Sequence, residues 1–256
     1  FSKSSKTIAI FIYDITNPFY TQLIMELNEI CFKEHYTLLI CASENDLQKE
    51  KAYLELCLAK RCEGIILTEG VSNRLFENID IPFVSLDRKD NTSISCITSE
   101  SYYSIRKIVN YLYNLGHRKI AFVGPEKNLC TVENRFQGYY DELKEKDIIC
   151  KDYIFKQGKS QDSKLGRTAL QYFLSLSDMP TAIVCSNDMV ALGVINEATL
   201  MSIPVPEALS VCGFDHVLDE FLHIPLTTVE QNIPQLASEL FYQLTNPPKK
   251  PMNKVI

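Results

Sequence analysis

The sequence predicts an α/β protein made of two doubly wound parallel sheets. Ile8-Ala9-Ile10-Phe11-Ile12-Tyr13 is apolar without interruption, as a strand must be when helices cover both faces of its sheet. Runs of this kind alternate with stretches whose apolar residues recur at helical spacing, which is the signature of strand–helix–strand units. Midway the whole pattern restarts, with Lys119-Ile120-Ala121-Phe122-Val123 echoing Thr7-Ile8-Ala9-Ile10-Phe11, so two similar lobes are expected.

Taken in order, the first strand gives way to a helix at Asn17-Pro18. Asparagine suits the N-cap, and proline suits the first turn, where no N–H is needed. Phe19, Leu23, Leu27 and Ile30 then follow at helical spacing. Residues 36–42 read as the second strand, 47–60 as a helix, and 64–67 and 82–86 as two further strands. In the second round a helix over 101–115 ends at Gly116, a C-terminal cap. Strands at 119–123, 153–156, 182–185 and 209–212 alternate with helices at 133–146, 163–176 and 188–201, and a last helix covers 234–244. Ligands bind such sheets beyond the carboxyl ends of the strands. The loops after Tyr13, Leu86, Val123, Cys185 and Cys212 are therefore the places to look.

Composition narrows the function. Hydrophobic residues make up 46% and charged residues 23% of the 256, enough apolar material for a core in each lobe. A net charge of −6 argues against gripping a phosphate backbone, which needs clustered Lys and Arg, so this chain is not expected to bind DNA alone. The nine cysteines are odd in number, form no C-x-x-C and mostly have apolar neighbours. They read as reduced, buried thiols, which favours a cytoplasmic address. No apolar run is long enough to span a bilayer. Phe1-Ser2-Lys3-Ser4-Ser5-Lys6 lacks the apolar stretch of a signal peptide and reads as a linker from something upstream.

Many doubly wound proteins are enzymes, but the chemistry of those enzymes is missing. The glycines form neither G-x-G-x-x-G nor G-x-x-x-x-G-K-[ST], so dinucleotide and P-loop nucleotide binding lose their fingerprints. There is no G-x-S-x-G elbow. His35, His117, His216 and His223 form no H-E-x-x-H and no zinc spacing. A binding protein without cofactor or metal is expected, not an enzyme.

The strand-end loops carry an ordered set of motifs. They read Tyr13-Asp14-Ile15-Thr16-Asn17-Pro18-Phe19-Tyr20, Ser85-Leu86-Asp87-Arg88, Glu133-Asn134-Arg135-Phe136-Gln137-Gly138-Tyr139, Ser186-Asn187-Asp188-Met189, Gly213-Phe214-Asp215 and Pro225-Leu226-Thr227-Thr228-Val229-Glu230-Gln231. Each alone is weak, but the ordered set, running over essentially the whole chain, resembles the LacI/GalR transcription regulators and their relatives, the periplasmic sugar-binding proteins. Leu115-Gly116-His117-Arg118-Lys119 resembles the regulator branch in particular. The resemblance implies a periplasmic binding protein-like (type I) fold with three inter-lobe crossings and the effector in the cleft between the lobes. The first lobe would hold residues 1–96 plus about 229–248, and the second 97–228 plus about 249–256. The N-terminal helix-turn-helix headpiece that normally precedes this module is absent from the chain, so operator DNA would be met only through that headpiece.

The resemblance places Asn17, Phe19, Tyr20, Asp87, Arg88, Arg135, Asn187, Asp215 and Gln231 in the ligand site. Phe19 or Tyr20 offers a flat apolar face for the C–H side of a sugar, and the other ring can belong to the core. Asn17 serves equally as a plain N-cap. Asp87-Arg88 pairs a carboxylate that accepts from two hydroxyls with a guanidinium fork, as ribose-type relatives do; a solvated turn is the alternative. Arg135 reads as a ligand contact or an exposed helical charge, Asn187 as a contact or an N-cap. Asp188 reads as structural, in a first helical turn that favours negative charge. Two departures from the family pattern bear on the effector. His216 stands where many relatives have Asp, and Gln157-Gly158-Lys159-Ser160 stands where many have an aromatic, so both a sugar and a sugar phosphate remain open. A homodimer is expected from half-site symmetry, with Phe221 and Leu222 as candidate contacts. The alternative to a repressor's sensor is a periplasmic-type sugar-binding protein of a transport system.

Overall fold

The computed structural model describes residues 5–44, 46–68, 75–76, 79–87, 94–126, 129–158, 160–219, 222–248 and 250–256. The chain divides into two compact units, one of residues 1–99 with 232–256 and the other of 100–231.

In the first unit β1 (Thr7–Ile12), β2 (Thr37–Ala42), β3 (Gly64–Leu67), β4 (Phe83–Leu86), β5 (Ser95–Thr98) and β10 (Asn253–Val255) form one sheet. Its order among the described residues is β10-β5-β4-β3-β1-β2, with every pairing parallel. Helix α1 (Pro18–Lys33) packs against α7 (Ile233–Thr245). Helix α2 (Leu47–Ala59) adds Leu54 and Cys57 to a core with Phe11, Ile65, Leu67 and Phe76. Asn17 caps α1 as its residue type implies, its Oδ1 accepting from the Phe19 N–H at 3.0 Å with Pro18 in the first turn.

The second unit holds β6 (Ile120–Gly124), β7 (Ile154–Lys156), β8 (Ala182–Cys185) and β9 (Ser210–Cys212) in the order β7-β6-β8-β9, again all parallel. Helices α3 (Tyr102–Asn114) and α4 (Cys130–Glu145) bury Ile105, Val109, Tyr139 and Leu143 with Ile120, Phe122 and Val184. Helices α5 (Ser163–Leu174) and α6 (Asp188–Leu200) bury Ala169, Leu170, Phe173, Ala191 and Val194 with Ala121, Val123, Ile183 and Cys185. Alternate residues of β6 and β8 thus feed two different cores, which is what a doubly wound sheet requires of its strands. Gly116 ends α3 at a φ of +100°, and the His117 N–H reaches the Leu112 carbonyl at 3.1 Å.

Three expectations need correction. Residues 249–256 belong to the first unit: β10 pairs in parallel with β5, so the described chain passes between units only around Ser99–Glu100 and Gln231–Asn232, and this tail makes no third crossing. Strand β5 was not anticipated, because Ser95-Cys96-Ile97-Thr98 is short and half polar, yet it lies inside the sheet between β4 and β10. Helix α4 begins at Cys130 rather than 133, with Thr131 and Val132 buried in the added turn. No helix among the described residues is long and apolar enough to cross a membrane.

Close helix contacts depend on glycine. A Cβ at Gly138 on α4 would lie 2.3 Å from the Tyr102 carbonyl oxygen of α3, and that backbone atom cannot rotate away. Gly138→Ala should therefore destabilise the second unit by about 1–3 kcal/mol, the usual cost of overpacking, read as a lower urea midpoint with an unchanged slope.

Candidate functional site

The carboxyl ends of β6, β8 and β9 gather most of the polar residues that the sequence singles out in the second unit. Arg135, one turn ahead of Gly138 on α4, is 4% exposed, and Asp215, just beyond β9, is 5% exposed. The Arg135 Nη1 donates to the Ser186 carbonyl at 2.6 Å and Nη2 points at Asp215 Oδ1 at 3.5 Å. The guanidinium lies over the Phe214 ring, 3.7 Å from its centre. Gln231 donates from Nε2 to the same Asp215 oxygen at 2.7 Å. Asn187 caps α6, its Oδ1 accepting from the Val190 N–H at 2.9 Å, while its Nδ2 donates to the Gln161 carbonyl at 3.3 Å.

Asp215 has a φ of 115° and His216 one of 59°, a conformation that costs non-glycine residues of order 1–3 kcal/mol each and collects at functional sites. It is held there by the Asp215 N–H on the Val229 carbonyl at 2.9 Å. Three buried polar atoms of this region, Arg135 Nε, Ser186 Oγ and Gln161 Oε1, have no hydrogen-bond partner among the described residues. Most buried polar groups are satisfied, so three exceptions gathered around Ser186 set this region apart.

Asp188 is structural, as expected. It accepts from Thr228 Oγ1 at 2.6 Å and from the Val217 N–H at 2.9 Å, tying the start of α6 to the segments after β9. A Cβ at Gly213 would fall 2.1 Å from Asp188 Oδ1, so only glycine fits there. Burial pushes the Asp188 carboxyl above the usual aspartate range, and the bonds from Thr228 and Val217 only partly draw it back.

The first unit presents the other candidates. Phe19 is 5% exposed and belongs to the core under α1, while Tyr20 is half-buried with its ring edge-on to Phe19, 5.3 Å between centres. Asp87 follows β4 with a φ of 57°, and its Oδ1 accepts from the Ser99 N–H at 3.0 Å. Arg88, Lys159 and Phe221 lie outside the described residues. Leu222, a candidate dimer contact from sequence, packs half-buried against the second unit's own core. The sequence reading missed Gln161, which follows the short strand β7 and sits beside the Gln157–Ser160 departure; that strand end was not among the loops chosen for inspection. Among the described residues no group of three or more His, Cys, Asp or Glu is placed to hold a metal.

Residues 109–251 match the periplasmic binding protein-like domain family. The HTH-type transcriptional repressor PurR of Aliivibrio salmonicida (strain LFI1238) is 30% identical over 236 residues, 89% of this chain and 70% of the repressor. A periplasmic binding protein/LacI transcriptional regulator from Alkaliphilus metalliredigens QYMF, solved with D-xylulofuranose, is 27% identical over 98% of this chain and 95% of its own, with a TM-score of 0.83. A LacI family transcriptional regulator from Enterococcus faecium, solved with ribose, is 25% identical over 98% and 94%, with a TM-score of 0.85.

The raised Asp188 value fixes the sign of a pH effect. Its contribution to stability is complete below the ordinary aspartate value of about 4 and is lost as pH rises through the higher folded-state value. The advantage of the wild type over Asp188→Asn should thus be largest near pH 4 and shrink toward neutrality. Urea midpoints at both ends of that window check it, and an advantage growing with pH would contradict it.

Proposed function

We propose that this chain, which belongs to the LacI/GalR family of periplasmic binding protein-like regulators, is the effector-sensing and dimerisation module of a cytoplasmic transcription repressor. The observation that carries the reading is the buried Arg135–Asp215–Gln231 cluster at the strand ends, joined through Ser186 to Asn187 and bordered by unpartnered polar atoms. Such an arrangement matches a small polyhydroxyl ligand, because dense donors and acceptors replace water only if the ligand also supplies both. Ribose and D-xylulofuranose bound to similar regulators point the same way, toward a sugar or sugar phosphate.

In this reading Arg135, Asn187, Asp215 and Gln231 hold the effector from the second unit. The family resemblance assigns Asn17, Tyr20, Asp87 and Arg88 of the first unit to the same ligand, and Phe19 packs edge-on to Tyr20. A ligand engaging both units favours whichever arrangement makes both sets of contacts, and that differential affinity is all it needs to act on a DNA-binding headpiece. The site binds and does not turn its ligand over.

Calorimetry with pentoses, hexoses and their phosphates tests the assignment. Charge-assisted hydrogen bonds are worth about 1.5–3 kcal/mol, so Arg135→Ala and Asp215→Asn should each weaken sugar binding by about tenfold to a few hundredfold. Effector affinity unchanged in both variants, with melts confirming folded protein, would remove the residue assignment.

Pairing of two copies follows from half-site symmetry. Met25, Phe32 and Ile40, exposed apolar residues of the first unit, are better candidates for the contact than Leu222. Light scattering at about 10 µM and above, a practical range for an interface of ordinary size, should return a dimer mass. In mobility shifts this chain should leave operator DNA free, and the same chain joined to a helix-turn-helix headpiece should retain it. A monomer, or equal retention by both proteins, contradicts this division of labour.

A further inference from the structure

We propose that His216 is a charged clip between the segment after β9 and the returning segment that ends at Gln231, and that its protonation couples effector binding to pH, with tighter binding in acid than at neutral pH. The inference rests on the reading above and adds a regulation to it.

His216 follows Asp215 just beyond β9, and Glu230 precedes Gln231. The two segments run side by side. Asp215 and Glu230 form a parallel bridge, and the Asp215 N–H donates to the Val229 carbonyl at 2.9 Å. The His216 ring lies between two carboxylates, with Nε2 2.5 Å from Asp219 Oδ2 and Nδ1 4.0 Å from Glu230 Oε2. Asp219 belongs to the ring's own segment and Glu230 to the returning one. Two further carboxylates are near. Asp188 stands at the start of α6, where burial raises its carboxyl and the His216 charge is one of the influences drawing it back. Asp215 is taken up by Gln231 and Arg135.

A neutral imidazole has one N–H and one lone pair. If the N–H goes to Asp219, a lone pair is left on the side of the Glu230 carboxylate. An imidazolium carries a proton on both nitrogens and attracts both carboxylates, so the charged ring is the form that holds the two segments together. The clip also acts where the backbone is strained. His216 has a φ of 59° and Asp215 one of 115°, so whatever holds the one in place supports the other. Asp215 and Gln231, the effector contacts of these two segments, are each one residue away from a member of the clip.

Calorimetry of the full chain with D-ribose at about pH 5.5 and about pH 7.5, either side of the span over which histidine ordinarily changes charge, tests the coupling. Exposed ion pairs are individually weak, so D-ribose should bind about two- to tenfold more tightly at the lower pH. His216→Asn, which tolerates the left-handed backbone, and Glu230→Gln should each remove most of that difference, whereas Asp188→Asn should keep it. Hydrogen exchange of the Asp215 amide, corrected for its intrinsic pH dependence, reads the clip without ligand. Its protection should be greater at the lower pH in the wild type and equal at both in His216→Asn. If His216→Asn melts early, His216→Gln takes its place. A difference in affinity that survives in His216→Asn, or one lost in Asp188→Asn, places the titration elsewhere and overturns the role of His216. Equal affinity at the two pH values, with binding lost in Arg135→Ala, overturns the coupling and leaves the sugar site standing. D-ribose left unbound by the wild type overturns the sugar reading instead; the exchange of Asp215 then decides the clip alone, and protection indifferent to pH overturns it.

Discussion

A guanidinium withdrawn from water has to be satisfied from several directions at once, and in the second unit that requirement falls on Arg135. Its two terminal nitrogens face the end of β8 through Ser186 and the end of β9 through Asp215, and its flat face rests on Phe214. Removing the Asp215 carboxylate would leave the desolvated charge without its counter-ion, at a cost of about 3–5 kcal/mol. The loops after β8 and β9 and the first turns of α4 are therefore fixed to one another by a single side chain. The positive φ of Asp215 follows from the same demand. An aspartate there presents its carboxylate to both Arg135 and Gln231 while its N–H stays on the Val229 carbonyl.

The helix carrying Arg135 reaches that position because it lies very close to its neighbour. Gly138 lets α4 meet the backbone of α3 at Tyr102, and Gly166 and Gly193 let α5 and α6 approach in the same way on the opposite face. On each side of the four-stranded sheet a helix pair thus meets backbone to backbone at a glycine. The site inherits its geometry from those contacts, since Arg135 is one turn from Gly138. Small residues between helices thus fix where the polar cluster of Arg135 sits.

Much of this was legible because it is local. The buried strands β1, β3, β6 and β8 announce themselves as unbroken apolar runs, and Asn17, Asn187 and Gly116 sit where their residue types say they should. The illegible parts depend on distant pairing. Ser95-Cys96-Ile97-Thr98 reads as loop until β10 is seen beside it, and the final residues could not declare their lobe because their partner lies more than a hundred positions earlier. Phe19 and Tyr20 were indistinguishable as wall and core, and only packing separates them. Gln161 was hidden for another reason. A lone polar residue in a loop carries no pattern, and its interest appears only when its oxygen is found buried.

The two units also differ in how the chain supplies them. The second is drawn from one continuous stretch, whereas the first is interrupted: α7, which packs on α1 and covers β3, β4 and β5, and β10, which closes the sheet beyond β5, come after the whole of the other unit. During synthesis from the N-terminus the continuous unit is thus complete before the earlier one can be. Until α7 emerges, the part of one sheet face over β3, β4 and β5 stays without its helix and a sheet edge stays unpaired, the kind of surface that invites association with other chains. The ribosome therefore delivers these two units out of order, and the earlier-made one is the last to be protected.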